Sequence, residues 1–218
     1  LLLLLLLLLL LLLLLLLLLQ QIQKKNKKQQ NKKKKMIEKI TDDDIEKIKN
    51  KLSNFPSCDN VLEFGSSVGI VSSFLRKRHK NVLCVDTSFT ATSYAKKKSF
   101  ENLDFFVSDA LNHPFGKKKF DLILALNMLE IVEPIKLLET ISKQIKNGYV
   151  ILTDPYDYTR GKNSVKTPLY TKDVRKKLRS TGFTIAKKTN QPSYINWTLK
   201  INPRTKLVYH VDLIVGKK

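Results

Sequence analysis

The chain is poor in cysteine and short of acids. Cys58 and Cys84 are its two cysteines, and Cys84 falls in an apolar run that reads as a buried strand. Two thiols so placed argue against a disulfide framework or a thiolate metal site, and no metal is expected. Forty Lys and Arg stand against 19 Asp and Glu, a net charge of +21. Eight of those basic residues and none of the acids precede Met36, so the chain from Met36 on carries +13. A basic balance favours anionic partners such as nucleic acid, a membrane surface or acidic substrates, unless it reflects a lysine-rich genome. The G-x-G-x-x-G spacing of dinucleotide folds is missing.

Two segments precede the domain. Leu1 to Leu19 is unbroken leucine, long enough to span a bilayer as a helix. Gln20 to Lys35 holds only Gln, Lys and Asn, plus Ile22. A signal peptide would want positive charge before the leucine run and a cleavage site after it, and the pattern here shows neither. The lysines on its C-terminal side predict a membrane-held protein whose domain faces the cytosol. The competing reading is low-complexity sequence, with Met36 as the start. Residues 36–218 suit one domain with one core. On the cytosolic topology the sequon Asn196-Trp197-Thr198 carries no glycan.

The pattern along residues 36–218 alternates strand and helix. Thr41 to Leu52 reads as a leading helix closed by Pro56. Asn60 to Phe64, Asn81 to Val85, Leu103 to Val107, Phe120 to Leu126 and Tyr149 to Leu152 read as strands. The fourth is nearly all apolar, as befits a central strand buried on both faces. Ile135 to Ile145 is an amphipathic helix, and Thr171 to Ser180 a basic one with Val174 and Leu178 facing in. Phe183 to Ala186 and Leu207 to Val215 read as two last strands. Between them Thr189 to Lys206 is expected to be a long connection, so these strands pair most simply as an antiparallel hairpin.

The first strand runs straight into a glycine turn, Asn60-Val-Leu-Glu-Phe-Gly-Ser-Ser-Val-Gly69, and then a helix. Glycine is needed where φ is positive or where a ligand approaches the backbone. Three acids lie at successive strand ends: Glu63, Asp86 and Asp109. In an open parallel sheet those ends form the ligand edge. Asp86 follows the turn at about the spacing of the ribose-binding acid in related folds, and a carboxylate can accept from both hydroxyls of a ribose diol. Asp109 is placed to accept from an adenine amino group.

Glu63, Gly65 and Gly69 resemble the [D/E]-x-G-x-G-x-G motif of class I S-adenosylmethionine (SAM) methyltransferases, with Ser67 in place of the middle glycine. The resemblance implies a Rossmann-like α/β sandwich. Its sheet would be mostly parallel and seven-stranded, in the order 3-2-1-4-5-7-6, with strand 7 antiparallel. It implies SAM as cofactor, held by Glu63, Gly65, Ser67 and Gly69 at the methionine end, Asp86 at ribose and Asp109 at adenine. Asn127-Met-Leu-Glu-Ile-Val132 resembles the N-x-L-E-H-V-like segment of many such enzymes, which adds Asn127 to the cofactor set. Nothing at that strand end resembles the N-P-P-Y motif of DNA amino-methyltransferases. Gly148 to Tyr158 is similar to the strand-5 segment of the methyltransferase domain in ovothiol biosynthesis, which implies a small polar acceptor.

The loop after strand 5 supplies Tyr156 and Asp157 as candidate catalytic residues, with His113 a lesser candidate that reads better as a plain loop histidine. Tyr194, Trp197 and Arg204 are expected in a second loop on the substrate side. The leading reading is methyl transfer from SAM to a small polar molecule or a protein side chain. The alternatives are an RNA methyltransferase, resting on Lys172, Arg175, Lys176, Lys177 and Arg179 of the basic helix, and a non-catalytic scaffold.

Overall fold

The computed structural model describes residues 46, 49–50, 52–53, 55–97, 100–159 and 165–218, with backbone alone for 199–201. The leucine run, the Gln/Lys-rich stretch and most of the leading helix lie outside them. Among the described residues no helix is long and apolar enough to cross a membrane.

The elements follow the apolar runs. They are β1 (Asn60–Phe64), α1 (Ile70–Leu75), β2 (Asn81–Asp86), α2 (Phe89–Lys96), β3 (Leu103–Val107), β4 (Phe120–Leu126), α3 (Pro134–Gln144) and β5 (Ile145–Asp154). Then come α4 (Thr171–Ser180), β6 (Thr184–Ile185), a 3-10 turn (Lys187–Thr189), β7 (Tyr194–Asn202) and β8 (Thr205–Lys217). The sheet order is β3-β2-β1-β4-β5-β8-β6, with β7 also paired to β8. Strands β1 to β5 are parallel, and β8 runs antiparallel to β5.

Strand alternation splits the core into two layers. Leu62, Phe64 and Ile123 face α3 and α4, where they meet Leu137, Leu138, Ile141, Val174 and Leu178. Val61, Leu122 and Leu124 face the other way, onto Leu75, Cys84, Ala95 and Leu213. Such double burial is why the strands read as unbroken apolar runs.

The expected strand order holds, with the antiparallel last strand between β5 and β6. The strand count does not: the sheet has eight strands rather than seven. Residues 194–202, expected within a loop, form β7 and a tight hairpin with β8. The cause lies in the length of β8. Asp212 already pairs with Asp154, the last residue of β5. Thr205 to Val211 therefore run past the parallel strands, and their backbone groups need another partner. β7 supplies it, with Trp197 opposite Tyr209 and Asn196 opposite His210.

Helix α4 is less exposed than its charge suggests. Arg175 is buried beside Val174 and Leu178. Its guanidinium grips Asp212 of β8 with two hydrogen bonds, 2.6 and 2.9 Å. The other three N–H groups donate to the carbonyls of Thr189, Thr171 and Gln191. Asp212, fully buried, also accepts from Tyr156 Oη at 2.9 Å and Ser193 N at 3.0 Å. A buried pair so satisfied is costly to half-remove. Arg175→Met should therefore lower the unfolding free energy in urea by about 3–5 kcal/mol. Arg175→Met with Asp212→Leu should lose distinctly less, because no charge is stranded.

Candidate functional site

β1 gives way to a turn built on positive φ. Gly65 has φ +71° and Gly69 φ +77°. A Cβ on Gly65 would crowd Met128 Sδ, and one on Gly69 would lie 2.7 Å from the Phe105 ring. The left-handed backbone is what requires glycine at both positions, and the close neighbours add to it. Gly65 N and Ser66 N donate to Val85 O, tying the turn to β2. Ser67, at the place of the middle glycine, adopts φ +50° itself. Ser67 N donates to Asp86 Oδ2 at 2.8 Å, and Ser88 N to Asp86 Oδ1 at 2.7 Å. The structure so brings Gly65, Ser67, Gly69 and Asp86 into one network. Ser66 Oγ is buried with no partner among the described residues, an orphaned polar atom inside the turn.

The other candidate residues are placed differently. Glu63 is buried under α1 and accepts a hydrogen bond from the Ser72 hydroxyl, with Cys84 Sγ at 3.9 Å. Asp109 is exposed in its own turn after β3 and accepts from Leu111 N at 2.6 Å. Asn127 follows β4 with φ +55°, and its Oδ1 accepts from Thr153 Oγ1 at 2.9 Å. Tyr156 follows β5 with φ +55°, its hydroxyl on Asp212 and its N–H on Asp154 Oδ1 at 2.8 Å. Asp157 accepts from Thr159 Oγ1 at 2.6 Å. His113 is packed between Phe64 and Phe115, with Nε2 on Gln144 Oε1 at 3.1 Å. Tyr194 and Trp197 belong to β7 rather than to a loop, and Arg204 sits in the hairpin turn beyond it. Trp197 packs on the second core layer.

Three non-glycine residues in the left-handed region, Ser67, Asn127 and Tyr156, stand at the carboxyl ends of β1, β4 and β5. These are neighbouring strands at the centre of the sheet. Left-handed backbone at a bulky side chain is strained and collects at ligand edges. Sequence reasoning gave no role to Asp154 or Glu130. Asp154 ends β5, as Asp86 ends β2, and the same strand-end signal marks it. It is buried and accepts from Leu129 N at 2.8 Å.

Two buried acids are held towards their neutral forms. Burial pushes Glu63 up to about 7, against the opposing hydrogen bond from Ser72. Burial, helped by the charge of Glu130, raises Asp154 to about 7. An acid raised in the fold adds stability below its unfolded pKa, and that stability is lost as pH rises through the folded value. Unfolding free energy should therefore fall as pH climbs from about 4.5 through about 7. Glu63→Gln should remove part of that slope, on the order of 3 kcal/mol across the window. Urea titrations of both proteins at a series of pH values check this.

A family profile described as a methyltransferase domain matches residues 62–152. Curated proteins yield no match. Among solved structures, the N-methyltransferase NodS from Bradyrhizobium japonicum WM9 is 15% identical with a TM-score of 0.61, over 81% of this chain and 97% of that one. The magnesium protoporphyrin IX methyltransferase ChlM from Synechocystis PCC 6803, with bound SAM, is 18% identical with a TM-score of 0.56, over 80% and 77%. The YcgJ protein from Bacillus subtilis is 14% identical with a TM-score of 0.63, over 82% and 99%. At such identities the likeness to these structures is one of fold. Residues 62–152 thus match a methyltransferase domain, in a chain whose strand order and acid-and-glycine turn are those expected of a SAM-dependent enzyme of class I.

Proposed function

We propose that the enzyme methylates a small polar molecule or a protein side chain, with the acceptor bound beyond the ends of β4 and β5. The observation that carries this is the row of strained residues Ser67, Asn127 and Tyr156 across the cofactor strand β1 and the acceptor strands β4 and β5. When bound, SAM supplies an electrophilic methyl group on a sulfonium. Asp86 would hold the ribose, since each of its oxygens takes one backbone N–H and keeps a further lone pair. The orphaned Ser66 hydroxyl and the open glycine turn would receive the methionine end. Asp109, in its separate turn, would face the adenine. Asn127, locked by Thr153, would fix the backbone between cofactor and acceptor. With the reactants so held, positioning can supply most of the rate.

Tyr156 acts here by position rather than as an acid or base. Burial and the adjacent Asp212 carboxylate raise its hydroxyl well above the usual tyrosine range. Asp157 remains the candidate base of the loop.

The RNA alternative rests on the +13 balance from Met36 on and on five charges of α4, and three of those five have local partners. Arg175 is in the ion pair with Asp212, Lys177 is 2.6 Å from Glu139, and Arg179 bonds Asn190.

Saturating SAM should raise the melting temperature, with about 2.7 kcal/mol of added stability at a hundredfold excess over Kd. Asp86→Ala should weaken SAM binding by about 1.5–3 kcal/mol in calorimetry. An unshifted melt with no heat of binding would end the proposal. The leucine run is proposed as a membrane anchor for a cytosolic enzyme. Full-length protein should then fractionate with membranes, and protein started at Met36 should not.

A further inference from the structure

The acceptor side runs against the charge of the chain. Lys and Arg outnumber Asp and Glu by 40 to 19 overall. Yet Glu130 after β4 and Asp154 at the end of β5 act on Tyr158, with Tyr156 beside them, and Tyr170 joins from the start of α4. The Tyr158 and Tyr170 rings meet edge to face at 5.4 Å, and those of Tyr156 and Tyr170 lie 6.3 Å apart, tilted by 44°. Two of the three hydroxyls are tied back into the protein. Tyr158 Oη donates to Leu169 O at 2.6 Å and Tyr156 Oη to Asp212 at 2.9 Å. This fixes the rings and leaves their faces as what a ligand can meet. Tyr170 is 53% exposed.

Ionised, the neighbouring carboxylates put negative charge beside the rings. The charges of Asp154 and Glu130 act on one another and on the Tyr158 hydroxyl, which burial also raises. Asp154 accepts from the backbone N–H groups of Leu129 and Tyr156. Arg175, which also touches this region, is neutralised by Asp212. An anionic acceptor would meet like charge here. A cation would be drawn both by the carboxylates and by the ring faces.

We propose, on the basis of the methyltransferase reading, that the acceptor is an amine recognised as its ammonium cation, seated against Tyr158 and Tyr170 with Glu130 and Asp154 buried nearby. Before transfer the ammonium gives its proton to the Asp157 carboxylate, and the freed lone pair takes the methyl as the sulfonium C–S bond breaks, leaving S-adenosylhomocysteine. The small polar acceptor thereby gains a chemical class.

The test uses the full-length protein saturated with S-adenosylhomocysteine, titrated with choline and with its neutral carbon isostere 3,3-dimethylbutan-1-ol. Choline should bind about ten-fold tighter than the isostere. Tyr170→Leu should erase that preference, and Tyr170→Phe, which keeps the ring, should retain it. Choline is charged at every pH, so its affinity should rise as pH passes through about 7 and Asp154 ionises. The groups facing Asp154 are Glu130 after β4, Tyr156 and Tyr158 after β5, and the Arg175–Asp212 pair behind Tyr156. The tyrosines, raised above their usual range, do not titrate in that window. Equal binding of choline and the isostere, or an unchanged preference in Tyr170→Leu, would overturn the amine assignment alone. Failure of S-adenosylhomocysteine itself to bind would overturn the methyltransferase reading and this proposal with it.

Discussion

The C-terminal half of the molecule depends on one buried ion pair. Arg175 and Asp212 join α4 to β8, and through their remaining hydrogen bonds they hold Thr171, Thr189, Gln191, Ser193 and Tyr156. Those residues come from the start of α4, the connection between β6 and β7, and the loop after β5. An ion pair in an apolar interior survives only when its other donors and acceptors are satisfied. Here all five guanidinium N–H groups have an acceptor. The pair therefore fixes a geometry as much as it adds stability. It sets the register of α4 against β8, and through Tyr156 it shapes the acceptor side.

The N-terminal half depends instead on backbone. The turn after β1 works because Gly65 and Gly69 take positive φ in places where a Cβ would collide with Met128 and Phe105. Met128 follows β4 and Phe105 lies in β3, so the turn is wedged between distant parts of the sheet. Asp86 then clamps Ser67 and Ser88. Ser67 shows how the motif tolerates a departure: the conformation of the middle glycine is kept and the strain is borne by a small residue, stabilised by the Asp86 hydrogen bond. The turn after β1 and the loop after β5 are thus held by different physics, local backbone on one and a long-range charge pair on the other. They meet at Asn127 and Thr153, where β4 and β5 end.

Charge is the property that tertiary structure reinterprets most. The balance of the chain points to anionic partners, and α4 looks like a basic face. In the fold, Arg175 turns inward, Lys177 finds Glu139, and Glu130 and Asp154 lie near Tyr158. Composition sums over the surface as a whole, whereas a substrate meets only the few groups at one strand edge.

The sequence by itself determined the alternation of strand and helix, the parallel sheet with an antiparallel last strand, and the acid-and-glycine turn at Glu63 to Gly69. These are local patterns: runs of apolar residues, glycines at a turn, acids at strand ends. It also placed Tyr156 and Asp157 after β5. Tertiary structure alone decided that Glu63 lies under α1 on Ser72, that Arg175 belongs to Asp212 some 37 residues away, and that residues 194–202 are a strand. The last follows from β8 outrunning β5, because unpaired backbone beyond Asp154 recruits β7. No window along the chain contains that information, since the length of one strand becomes a demand only when its neighbour ends.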